Sequence, residues 1–157
     1  MQRPTKFLTV CVVAFAAALI PAVAVAASLP KLAVGDSPKF SVRPHSIELT
    51  ADGALFVGGS QSKGKIGAIG WSSWSSTRGR GSGYLWVNNC KPNCAAGKFA
   101  GHKVSINASN VSGGDFRTVT LTCTVSGKSK TDTLKLQKAT NSNLWFWNYK
   151  TLACEKG

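Results

Sequence analysis

Four cysteines in the second half of the chain carry its most definite chemistry: Cys90, Cys94, Cys123 and Cys154. An even set of thiols in an exported chain normally oxidises to disulfides, and four thiols allow three connectivities. Zinc is the rival reading. However, Cys90-Lys91-Pro92-Asn93-Cys94 has three intervening residues, no second close pair and only His102 nearby, so no metal site is expected. Lys91-Pro92-Asn93 suits a tight turn, with proline presetting φ and asparagine tolerated after it. Cys90 is therefore expected to pair with Cys94, leaving Cys123 for Cys154. The second bridge would close roughly 30 residues and stabilise by about 3–4 kcal/mol in the chain-entropy model.

Catalytic sets are sparse. Beyond residue 27 the chain has two histidines, His45 and His102, and six acids: Asp36, Glu48, Asp52, Asp115, Asp132 and Glu155. Serine is abundant, but no G-x-S-x-G elbow is present. Asp52 precedes Gly53 and reads as a turn residue. Gly59-Ser60-Gln61-Ser62-Lys63-Gly64-Lys65 follows a phosphate loop until Ile66, where a hydroxyl would have to reach magnesium. Gly79-Arg80-Gly81 lacks the strand-to-helix setting of a dinucleotide loop. Trp71-Ser72-Ser73-Trp74-Ser75 matches the W-S-x-W-S of cytokine-receptor domains, but it lies too early in the chain for that setting. No catalytic residue and no cofactor is expected; a hydrolase whose carboxylates converge in space is the alternative.

Charge suggests binding instead. The chain has 19 Lys and Arg against 6 Asp and Glu. Such an excess either attracts polyanions or keeps an exported protein soluble. Arg78 and Arg80, set among Gly79, Gly81 and Gly83, are the candidate ligand-binding cations, because forked guanidinium donors suit phosphate or sulfate oxygens. Trp74 and Trp86 are the candidate stacking residues, if exposed. Trp145, Trp147 and Tyr149 share one face of a final strand and Leu144 and Phe146 the other; burial on both sides is preferred there over a sugar-stacking row. The expected partner is an anionic polymer or glycan, with no specific nucleic acid. A domain acting through protein contacts is the second alternative.

These residues must be positioned by short strands. Arg3 and Lys6 precede the apolar run Phe7 to Ile20, and Pro21 and alanines at A-x-A spacing follow, as in a signal peptide. Residues 1–27 are thus read as a signal peptide, with no transmembrane anchor after cleavage and a secreted, extracellular product. Without Arg3 and Lys6, the remaining 17 basic residues face 6 acids, a net charge of +11. Residues 28–42, punctuated by Pro30 and Pro38, read as a flexible leader. Residues 43–157 read as one all-β domain, a small disulfide-stapled β-sandwich or barrel. Ala51-Asp52-Gly53 marks a hairpin tip, Gly58 to Gly64 a loop, Ser75 to Gly83 a second loop, and Tyr84 to Val87 a short strand. Val119 to Val125 is the clearest strand, apolar on one face and threonine on the other.

From Arg43-Pro44 to Gly97, the order Ile47, Leu49, Asp52-Gly53, Trp71-Ser72-Ser73-Trp74, Thr77, Gly83, Val87-Asn88, Cys90, Pro92, Cys94-Ala95-Ala96-Gly97 resembles a family of small exported actinobacterial proteins. Their marks are a W-S-S-W segment and an N-x-C-x-P-x-C-A-x-G loop. The resemblance covers less than half of the chain beyond residue 27. It implies export and a β-rich domain, and carries no established activity.

Cleavage is expected after Ala26 or Ala27. N-terminal sequencing of protein recovered from culture medium should read Ala27 or Ser28 first; material beginning at Met1 would refute the assignment.

Overall fold

The computed structural model describes residues 28–35, 39–140, 142–149 and 152–156. The expected signal peptide, with Cys11, lies outside them. Twelve strands form within the described residues: β1 Leu32–Ala33, β2 Phe40–Ser41, β3 Ile47–Glu48, β4 Leu55–Gly58, β5 Gln61–Ser62, β6 Lys65–Ile66, β7 Gly70–Trp74, β8 Gly79–Asn88, β9 Phe99–Ser112, β10 Asp115–Val125, β11 Lys128–Lys138 and β12 Trp145–Asn148. A short 3-10 helix, η1, covers Ala153–Lys156. The fold is all-β: a curled antiparallel sheet, a half-barrel, fastened by two disulfides.

Strand order in the main sheet is β12-β11-β10-β9-β8-β4-β3, with β7 also on β8. The ten-residue β8 therefore serves two partners in tandem along one edge. Gly79 to Ser82 pair with β7, and Tyr84 to Val87 pair with β4. Alternation fixes the faces, because successive side chains in a strand point to opposite sides. Leu85, Val104, Ile106, Ala108, Val119, Leu121, Leu134 and Trp147 are buried on the inner side. The Asp52-Gly53 turn is formed as expected, with Gly53 at φ 68° and Asp52 Oδ1 accepting the Ala54 N–H at 3.0 Å. That hydrogen bond holds the Asp52 carboxyl below its ordinary pKa.

Three readings of the sequence need correction. Gly58 to Gly64 is not simply a loop, since β5 and β6 make a hairpin there, turning at Lys63 and Gly64 with positive φ. Ser75 to Gly83 is a loop only to Arg78, because Gly79, Gly81 and Gly83 are strand residues. Their role is close packing. A Cβ at Gly79 would lie 2.8 Å from the Trp74 ring, one at Gly81 2.9 Å from Trp71, and one at Gly83 2.3 Å from the Gly58 carbonyl. Residues 28–42 are not a flexible leader throughout. Leu32 and Ala33 are fully buried, and Lys31 bridges to β10 through hydrogen bonds with Gly114 and Phe116. Two buried residues in a row show no period, which hid this strand from pattern reading.

Trp71 and Trp74 are three apart, so a regular strand would send them to opposite faces. A register shift between Trp71 and Ser73 reverses that parity, and the rings meet edge-to-face at 4.7 Å. Trp74 then meets Phe116 at 5.2 Å and donates its indole N–H to the Pro30 carbonyl, 44 residues away. Cys90 pairs with Cys94 and Cys123 with Cys154, at Cα separations of 3.8 and 5.7 Å. Both pairings agree with the sequence reading. No helix among the described residues is long and apolar enough to cross a membrane.

Gly79→Ala should lower stability by about 1–3 kcal/mol through overpacking against Trp74. Gly70→Ala, whose nearest neighbour would be 3.6 Å away, should stay within about 0.5 kcal/mol of wild type. Urea midpoints of the two variants check this, and equal midpoints would remove the packing role.

Candidate ligand-binding face

The four ligand-binding residues chosen from sequence separate into two kinds. Arg78 and Arg80 are exposed. Trp74 and Trp86 are buried, at 8% and 5% exposure, so neither offers a ring for stacking. Trp74 belongs to the core. Trp86 lies across from Phe56 and Gly101 on the outer side of the sheet, where a Cβ on Gly101 would come within 2.7 Å of its ring. Its indole N–H is taken by the Gly59 carbonyl at 3.0 Å. The last strand also differs from expectation. β12 is a sheet edge with Trp147 buried inward, while Leu144 and Phe146 are 51% and 40% exposed.

Arg80 is brought to a face that is almost wholly hydroxyl and amide. Cross-strand register places it opposite Asn107 of β9 and Ser73 of β7. Moving across the sheet, Asn107 faces Thr120 and Thr120 faces Thr133. The next row runs Ser82, Ser105, Thr122 and Thr131, with the last two hydroxyls 3.4 Å apart. Lys103 stands opposite Tyr84, and Lys135 opposite Thr118. No aspartate or glutamate occupies these outward positions of β8 to β11. Arg80 and Lys103 are four residues apart in register on adjacent strands, roughly 14 Å between Cα atoms at about 3.4 Å per residue. Lys103 borders a groove of about 440 Å³, lined also by Ser82, Ser105, Thr122, Thr124 and Ser129.

This arrangement can offer many neutral donors and acceptors to hydroxylated or oxyanionic groups, with cations at its margins and no carboxylate to repel an anion. Sequence reading found the threonine face of β10 but did not assign it a role. Lys103 and Lys135 were missed because their neighbours on the face come from other strands. Arg78 sits in the turn before β8, where its backbone is pinned by Ser75.

Two of the acids are engaged elsewhere. Asp115 lies 3.6 Å from Arg117. Asp132 is buried on the inner face and accepts the N–H groups of Ala153 at 2.8 Å and Cys154 at 2.9 Å. Its carboxylate thereby fastens η1 beside the Cys123–Cys154 bridge. No group of three or more His, Cys, Asp or Glu that could hold a metal occurs among the described residues.

No family model matches this chain, and neither do the curated proteins or the solved structures compared with it.

Asp132→Ala removes the acceptor of two N–H groups and should cost about 1–3 kcal/mol. Thermal unfolding should show the loss, together with faster reduction of Cys123–Cys154 by dithiothreitol. Unchanged stability would mean that water replaces the carboxylate without cost.

Proposed function

We propose that this chain is an exported, non-catalytic binding protein whose outer sheet face takes an anionic or glycan component of the cell envelope or its surroundings. One observation carries the reading: Arg80, Lys103 and Lys135 share a hydroxyl-rich face with no outward carboxylate on the same strands. The n-region, apolar run and small-residue site before residue 28 support export, and two disulfides are compatible with it. The broad excess of basic residues adds long-range attraction. Such binding is weak per contact, indifferent to monomer sequence and strongly dependent on salt.

The test is retention on heparin and on a teichoic-acid-like polymer across a salt series. Arg80→Ser/Lys103→Ser should elute at lower salt than Lys39→Ser/Lys156→Ser, which removes equal charge from exposed positions off this face. The slope of log affinity against log salt should fall by about two for the first pair. Equal shifts in both variants would reduce the interaction to bulk charge.

A further inference from the structure

The sheet forks between β9 and β10. Their pairing ends at Ser105 and Thr122. β9 nevertheless stays on β8 back to Phe99 opposite Asn88, and β10 stays on β11 out to Val125 opposite Lys128. Each strand keeps its far partner and loses the near one, and the groove bordered by Lys103 occupies the opening.

Strand parity decides which backbone groups look into the fork. Asn88 gives its N–H to Ala54 on the β4 side, so Val87 turns to β9, where Ala100 lies opposite. By alternation Ala100, His102 and Val104 bond β8, and Phe99, Gly101 and Lys103 aim their N–H and C=O groups into the fork. On the other wall, Ser126 and Gly127 have positive φ and form a two-residue turn. That turn makes Val125 and Lys128 a bonded pair and points the backbone of Thr124 toward β9. Phe99, Gly101, Lys103 and Thr124 are exposed, and no strand among the described residues pairs with them on this side.

A row of aimed donors and acceptors at strand spacing is a template for an extended chain. The open stretch from Phe99 to Lys103 runs roughly 14 Å at about 3.4 Å per residue. Unlike the outer edges of the sheet, the fork has a second wall, which carries the Thr122, Thr124 and Ser129 hydroxyls. Outward side chains along the open edge set the selectivity. Lys103 stands near the closed end and Gly101 leaves space, while Phe99 at the mouth is 42% exposed and meets Phe56 edge-on at 5.5 Å. No Asp or Glu lines the groove, and Lys98 and Lys128 adjoin its open end.

We infer that the fork binds an extended acidic peptide as an added strand antiparallel to β9, with a carboxylate opposite Lys103 and an apolar residue four positions later opposite Phe99. The inference goes beyond the outer-face reading, which needs cations and hydroxyls but no peptide backbone. The two share Lys103, and the backbone ladder tells them apart.

The probe is the acetylated, amidated peptide Ser-Thr-Glu-Thr-Ser-Thr-Phe-Thr-Ser, whose Glu and Phe have that spacing. Calorimetry should show saturation at one equivalent. Amide signals of Gly101, Lys103 and Thr124 should move, while those of Arg80 and Thr133 stay. N-methylation at Glu and at the central Ser, which face β9, should weaken binding at least about ten-fold. Methylation at the two Thr residues flanking the central Ser, which face away from β9, should cost less than about three-fold. The same residues in reverse order should bind at least about three-fold more weakly. Lys103→Glu should lose about three- to ten-fold, and a peptide with Lys in place of Glu should recover it. No saturable binding, equal losses from the two methylation patterns, a reversed peptide that binds as well, or a Lys103→Glu variant indifferent to peptide charge would each overturn the assignment. The methylation comparison uses wild-type protein, so it decides the matter even if Lys103→Glu does not fold. Retention on heparin is measured on the same protein, and either result can fail without the other.

Discussion

Tryptophan packed against glycine on the neighbouring strand is the contact on which this fold depends. It occurs three times at directly opposed positions: Trp71 with Gly81, Trp74 with Gly79, and Trp86 with Gly101. Each glycine vacates the space that a Cβ would take, and each indole covers a strand that would otherwise be weakened by lacking side chains. The indole N–H groups then reach outward to fasten separate segments. Trp74 holds Pro30, Trp71 holds Pro44, and Trp86 holds Gly59 where the chain leaves β4. Remove the glycines and the rings cannot approach; remove the rings and three segments lose their anchors.

The same sheet divides its labour by face. Apolar residues of β8 to β11 turn inward, where β1, η1 and the aromatic cluster of Trp71, Trp74 and Phe116 cover them. Threonine, serine and asparagine turn outward in rows set by register. β-Branched threonine suits a pleated surface and presents a hydroxyl without a long, mobile chain, so ordering the face costs little side-chain entropy. The disulfide to Cys154 and the carboxylate of Asp132 sit beneath that face and hold its inner side closed. The outer face thus inherits its geometry from packing on the far side of the strands.

Much of this was legible in the residues, and the failures have physical causes. Alternation in Val119 to Val125 marked β10, Asp52-Gly53 marked a hairpin, and the short Lys91-Pro92-Asn93 turn marked the cysteine pairing. Gly79, Gly81 and Gly83 read as loop because glycine's usual meaning is freedom, whereas here it makes room. Trp71 and Trp74 showed the wrong parity because a bulge leaves no local trace in sequence. The burial of Trp74 depends on residues 44 positions earlier. Such relations lie in the topology, beyond the reach of any short window. For the outer face, the components were readable and their assembly was not.

The early docking segment has a temporal consequence. β8 to β12 follow one another as neighbours in both chain and sheet, so each pairing closes a short loop soon after its strands exist. β1 has only β2 beside it, in a two-stranded ribbon outside the main sheet. Its place lies against β10, with Lys31 bonded to Gly114 and Phe116 across more than eighty residues. The part of the domain made first is therefore the part that comes home last, its ribbon with β2 undocked until the meander gives it a surface. During that interval Leu32 and the inner face of β10 are both uncovered, which makes this stretch the domain's period of greatest exposure to misassociation.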